Sequence, residues 1–166
     1  MRHLTLATFV CAFMVTPVSA HAQAPDPQLI APIQKFMDSF NKGDTAGAMA
    51  THAAGPDLAI IDEVPPFIWR GAKAFQAWMT TLESVSKQAG ITDQMVTISA
   101  PTRTESSGDS AYVIVPAVYT YQEKGVAMRE AAQITFALKK STSGWLITAW
   151  TWTGPKPQRV AAPAKQ

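Results

Sequence analysis

Over 29–40 and 75–85 apolar residues recur at three- and four-residue steps, and from about position 94 onward they largely alternate with polar ones. That change of period, from about 3.6 to 2, divides the chain into a helical first half and a strand-rich second half. Leu29, Ile33, Phe36, Met37 and Phe40 form one helical stripe, with Asp26 placed to cap it and Pro27 at its first position. Asn41-Lys42-Gly43 ends that helix, and Asp44 caps a short second one that reaches about His52 and stops at Ala54-Gly55-Pro56. A strand from Asp57 to Glu63 then turns at Val64-Pro65-Pro66 into Phe67-Ile68-Trp69-Arg70. After Gly71 a long helix carries Phe75, Trp78, Met79, Leu82 and Val85 on one stripe and ends near Gly90. Four strands follow over 94–104, 110–123, 126–140 and 145–153, separated by Ser106-Ser107-Gly108-Asp109, Lys124-Gly125 and Ser141 to Gly144.

Helices grouped early and strands grouped late predict an α+β domain, with helices on one face of a curved sheet of about six strands. Short turns between consecutive strands favour antiparallel pairing. Two strands carry apolar groups on both faces. Val113, Val115, Tyr119 and Tyr121 oppose Tyr112, Ile114 and Val118, while Trp145 and Ile147 oppose Leu146, Trp150 and Trp152. A sheet covered on one side only alternates apolar with polar. The outer face is therefore expected to be covered too, most simply by a second copy in a symmetric homodimer. A monomer with an aromatic-rich surface is the alternative.

The first residues read as an address. Arg2 precedes an apolar run from Leu4 to Val15, Pro17 breaks it, and Ala20-His21-Ala22 offers small residues where a signal peptidase reads. The run is too short for a membrane-spanning helix, which needs roughly 20 residues. Residues 1–22 are thus expected to be a cleaved signal peptide, 23–153 the folded domain, and 154–166, rich in Pro, Ala, Lys and Gln, a disordered tail. The expected location is the periplasm or the exterior, without a membrane anchor. Cys11, the one cysteine, falls inside the leader, so the remainder is free of thiols and suits an oxidising compartment.

Composition removes several functions. Charged residues make up 16 % of the chain, the formal charge is +2, and 47 % of residues are hydrophobic. Such a chain is too apolar for disorder and carries no basic field for a nucleic acid. Beyond residue 22, His52 is the only histidine, which leaves no metal-ligand set; no phosphate loop or serine elbow appears, and no cofactor is expected. What remains for chemistry is carboxylates, aromatic hydroxyls and shape.

Phe40-Asn41-Lys42-Gly43-Asp44, Leu58-Ala59-Ile60-Ile61-Asp62-Glu63, Trp69-Arg70-Gly71 with Phe75 and Trp78, and Gly144-Trp145-Leu146-Ile147 occur in that order. In this the chain resembles the nuclear-transport-factor-like superfamily of cone-shaped α+β domains, within it the SnoaL-like and ketosteroid-isomerase-like branch. The resemblance implies three helices on the concave face of the sheet, enclosing a cone-shaped cavity lined by apolar and aromatic groups. It also implies a role for Asp62, which matches the general base of ketosteroid isomerases. The tyrosine those enzymes carry on the first helix falls on Phe36. The superfamily holds isomerases, dehydratases, cyclases, epoxide hydrolases and members without catalysis, so the fold alone names no reaction.

Three residues are candidates for proton chemistry. Asp62, beside an apolar cavity, would have its charged form disfavoured and its pKa raised, which suits a base acting next to a carbonyl. Its alternative role is to accept backbone amides in a strand-end turn. Strand parity places Glu63 on the opposite face. Glu130 shares a strand face with Met128, Ala132, Ile134, Phe136 and Leu138 and needs a partner such as Arg70, or a proton, unless it sits at a frayed strand start. His52 is either an acid/base partner or a residue suited to a helix C-terminus. Phe36, Trp69, Arg70, Trp78, Tyr119 and Trp150 are expected to line the ligand site. The functions in play are a cofactor-free isomerase, lyase or cyclase acting on a small apolar or carbonyl-containing molecule, and a non-catalytic ligand-binding or dimeric interaction module.

Overall fold

A computed structural model describes residues 26–161. The signal peptide expected at 1–22 lies outside the described residues. Helix α1 (Pro27–Asn41) begins where the Asp26 carboxylate accepts the Gln28 N–H at 2.9 Å, and it buries Leu29, Ile33, Phe36 and Met37. The side chain of its last residue, Asn41, imitates a strand neighbour. Its amide donates to the Val96 carbonyl and its oxygen accepts the Val96 N–H, both at 2.8 Å. This pair of hydrogen bonds ties the end of α1 to the sheet.

Helix α2 (Thr45–Met49), capped by Asp44, is shorter than the expected run to His52. Residues 51–53 leave the helix to pair with a later strand. Ile147 N–H donates to the Thr51 carbonyl at 3.0 Å, and Ala53 N–H donates to the Ile147 carbonyl at 2.8 Å. Strands β1 (Ala59–Ile61) and β2 (Ile68–Arg70) are three residues each. Helix α3 (Ala74–Ala89) ends at Gly90, whose φ of +70° is the left-handed cap that glycine adopts at no steric cost. Among the described residues no helix is long and apolar enough to cross a membrane.

The sheet has eight strands rather than about six. The expected strand over 94–104 is broken around Pro101 into β3 (Ile91–Ile98) and β4 (Arg103–Ser107), which both pair with β5 (Ser110–Glu123). Next come β6 (Val126–Ser141) and β7 (Gly144–Thr153), followed by β8 (Gln158–Arg159). β8 pairs with Met128 and Arg129 of β6, so part of the segment expected to be a disordered tail is strand. The main order is β2-β1-β7-β6-β5-β3. All pairings between these strands are antiparallel except one: β1 runs parallel to β7, with Ile60 opposite Trp150. The short-turn argument for antiparallel pairing does not reach that pair, because the two strands are remote in sequence.

The inward face of the curved sheet packs on α1 and α3, and the core runs from Ile33 and Phe36 through Ile60, Val113, Val115, Phe136 and Ile147. One irregularity reorganises this face. The β6–β7 register passes from Leu138 opposite Ile147 to Ala137 opposite Ala149, so Thr148 is an extra residue in β7. A one-residue bulge flips the side of every residue after it. Trp145, Ile147 and Trp150 are therefore all buried, with Trp152 packed on the same core. Trp150 and Trp152 were expected on the face opposite Trp145 and Ile147, and the bulge brings them round. The two-faced apolar pattern thus survives in β5 and not in β7.

Candidate active site

A cavity of about 80 Å³ lies between α1, α3 and the inward face of the sheet. Phe36 and Phe40 come from α1, Trp78 and Leu82 from α3, Tyr119 from β5, and Trp150 and Trp152 from β7. The rings are in mutual contact: Trp78 meets Trp150 edge to face at 4.9 Å, and Tyr119 meets Trp152 at 6.2 Å. An apolar cavity with few convergent polar groups is the usual form of a small-molecule site.

The turn after β1 supplies the charged groups. Asp62 follows the last residue of that strand, and its N–H donates to the Phe67 carbonyl at 3.1 Å. Its Oδ2 accepts the indole N–H of Trp78 at 2.6 Å and its Oδ1 accepts the Glu63 N–H at 2.7 Å. Both bonds favour the charged form, yet burial outweighs them and the Asp62 carboxyl is raised above the ordinary aspartate range. Both expectations for this residue therefore meet in one place. Asp62 accepts a backbone amide in a turn and also lines the cavity.

Glu63 lines the same cavity, against the expectation from strand parity. Parity holds only while the strand continues, and β1 stops at Ile61. Burial, followed by the charge and hydrogen bond of Glu130 and the charge of Asp62, pushes the Glu63 carboxyl up to about 7. Glu130 sits within β6 opposite Tyr119, 1 % exposed, and not at a frayed start. Its Oε1 accepts the Trp152 indole N–H at 2.7 Å, while Oε2 has no hydrogen-bond partner among the described residues. A glycine makes room for it, since a Cβ on Gly154 would stand 2.1 Å from Oε1.

Tyr119 points its hydroxyl at Gln94, donating to Oε1 at 2.5 Å. Burial, then Tyr121 and the three neighbouring carboxyls, raise its pKa, so it stays a neutral phenol. Phe36, where the resemblance expects a tyrosine, fills the cavity floor without a hydroxyl.

Three expected site residues lie elsewhere. Arg70 is exposed on the outward side of β2, opposite Ala59, and does not partner Glu130. The ion pairs among the described residues are Arg103–Glu105 and Lys139–Asp109, both on the surface. Trp69 faces inward but is core and does not line the cavity. His52 is buried behind the wall. Its Nδ1 lies 3.0 Å from the Ala48 carbonyl and its Nε2 accepts the Trp150 indole N–H at 3.1 Å. An indole N–H can only donate, so Nε2 must be unprotonated and the ring neutral. Burial pulls the His52 pKa down to about 4, against the opposing bond to Ala48. It bonds Trp150 from behind and does not line the cavity.

Glu63, Trp152 and Gln94 are the polar-bearing residues that reasoning from the pattern missed. A glutamate next to Asp62 and a glycine two residues after Trp152 were the available signals. Among the described residues no group of histidine, cysteine, aspartate and glutamate side chains could hold a metal ion.

No protein-family model and no curated protein matches the sequence. Solved structures do. A nuclear transport factor 2 (NTF2-like) superfamily protein from Salmonella enterica serovar Typhimurium superposes with a TM-score of 0.64 and 14 % identity, over 84 % of this chain and 96 % of that one. A ketosteroid isomerase-like protein from Erwinia carotovora atroseptica gives 0.61 and 21 %, over 79 % and 96 %. An NTF2-like protein of unknown function from Pseudomonas putida gives 0.59 and 16 %, over 82 % and 95 %. With three helices against one curved mixed sheet around a cavity, this chain has the nuclear-transport-factor-2-like fold to which ketosteroid isomerase-like proteins also belong.

Proposed function

We propose that the chain is an exported domain that binds a small apolar molecule and moves a proton on it at Asp62. The observation that carries the reading is a half-buried carboxylate in a mostly apolar, aromatic-rich wall, held in place by Trp78 and raised in pKa by desolvation. A base of that kind takes the proton next to a ligand carbonyl. The C–H bond breaks, an O–H bond forms on Asp62, and the electron pair moves toward the carbonyl oxygen. Return of the proton to the same or another carbon completes an exchange or an isomerisation. The likeness to a ketosteroid isomerase-like structure supports this chemistry at the level of fold.

The test is hydrogen–deuterium exchange at the carbons flanking the carbonyl of 2-cyclohexenone, followed by NMR in heavy water. Wild-type protein should speed exchange over buffer, and Asp62→Asn should lose at least a hundredfold of that acceleration. No acceleration by wild type removes the catalytic reading. Phe36, which leaves the first helix without a hydroxyl donor, favours a second reading: a ligand-binding module without turnover, in which Asp62→Asn tightens apolar ligands.

Two further parts of the reading concern its setting. The leader-like run at 4–15 supports export, which the mass of protein purified from an exporting host would check. Outward-facing Ile61, Tyr112 and Met95, exposed by 44, 39 and 46 %, support a homodimer through the outer sheet face. A monomer by analytical ultracentrifugation removes that part.

A further inference from the structure

The charged groups in the cavity wall, Asp62 and Glu63, are both acids, and no lysine, arginine or histidine lines it among the described residues. A third acid stands behind Trp152: Glu130, with Oε1 bonded to the indole and a buried Oε2 bonded to nothing. Its neighbour on the cavity side is the Glu63 carboxyl, within hydrogen-bond reach. Around Glu63 stand Asp62 on its own turn, Glu130 from β6, and Tyr119 and Tyr121 from β5, none of them cationic.

Carboxylates gathered in apolar surroundings require either protons or a cation. The protein alone takes the proton on Glu63, whose carboxyl is pushed up to about 7 by burial and by the Glu130 charge. That proton stands where a positive charge would. The rest of the wall suits an organic cation in particular. Trp78, Trp150, Trp152 and Tyr119 present π-systems whose faces attract ammonium groups, and their hydrocarbon bulk fits an apolar body.

On the reading that this cavity is a ligand site, we propose that its ligand is a small apolar amine whose ammonium group sits against Glu63, with the buried Glu130 behind it, among the indole rings. The ammonium replaces the proton of that pair. Binding therefore releases a proton when the solution is more acidic than about pH 7, and affinity rises with pH while the amine itself stays charged.

Benzylamine and its neutral isostere benzyl alcohol are the probes, measured by titration calorimetry on the wild-type protein at pH 6 and pH 8. At pH 8 the amine should bind at least tenfold more tightly than the alcohol. At pH 6 the gap should narrow, and the heat should depend on the ionisation enthalpy of the buffer, because a proton leaves. Glu130→Gln and, at the exposed rim, Glu63→Gln should each bring the two ligands within about threefold of one another. The rim variant keeps the test decisive if the buried one does not fold. Benzyl alcohol binding with the amine no tighter at pH 8 overturns the amine assignment and leaves the cavity reading standing. Binding of neither overturns both.

Discussion

Trp152→Phe is the sharpest test of how the buried acid is held. Glu130 is 1 % exposed, and its only hydrogen bond among the described residues is the 2.7 Å bond from the Trp152 indole N–H. Phenylalanine keeps most of the ring that meets Tyr119 but has no donor, so Glu130 Oε1 loses its hydrogen bond and Oε2 gains none. A hydrogen bond to a charged group contributes about 1.5–3 kcal/mol, and the smaller ring leaves a partly filled space, so a total loss of about 2–4 kcal/mol is expected. Urea unfolding at pH 8 reads that loss directly.

Because packing and the hydrogen bond change together, the pair must be separated by a double-mutant cycle with Glu130→Met. Methionine removes the charge, so in that background Trp152→Phe should cost only its packing share. The coupling between the two sites should be about 1.5–3 kcal/mol. A coupling below about 0.5 kcal/mol would refute the account of Glu130 as a buried acid dependent on Trp152.

Other perturbations address the neighbours. Gly154→Ala places a Cβ 2.1 Å from Glu130 Oε1, so the carboxyl must move, and a loss of about 1–3 kcal/mol in unfolding experiments is expected. Trp78→Phe removes the side-chain bond that lowers the Asp62 pKa, so Asp62 should titrate higher by carboxyl NMR; a lower midpoint would contradict the assignment. His52, folded at about 4 against 6.5 in the free residue, contributes stability that is present above 6.5 and lost as pH falls toward 4. Its share is about 3 kcal/mol, and His52→Gln should flatten the stability profile across that window. Glu63 works the other way: with a folded value near 7, its contribution is lost as pH rises from 4.5 to 7, so Glu63→Gln should stabilise the protein at pH 8 relative to pH 5.

Local pattern was enough to read the three helices, their caps at Asp26 and Asp44, and the change to strands. Phe36, Asp62, Trp78, Tyr119 and Trp150 were also legible as cavity residues, because each lies on an apolar stripe or at a strand end. The misreadings share one cause. β1 pairs with β7 across some ninety residues, the bulge at Thr148 is a register shift between β6 and β7, and β1 stops at Ile61; period counting along one strand has access to none of these. Where the period is interrupted, side chains arrive on a face they were not expected to share. The end of β1 lets Asp62 and Glu63, adjacent in sequence, look into one cavity. The bulge turns Trp150 and Trp152 inward, one to meet His52 and the other to hold Glu130. The acids and the donors that position them are thus assembled by the two departures from regular strand geometry, while the regular strands supply the apolar wall. A carboxylate on an uninterrupted strand would have to face either the packed core or solvent. Breaking the alternation is what allows carboxyls and indoles to meet at the edge of the core, where an acid can be buried enough to hold its proton and still open enough to exchange it.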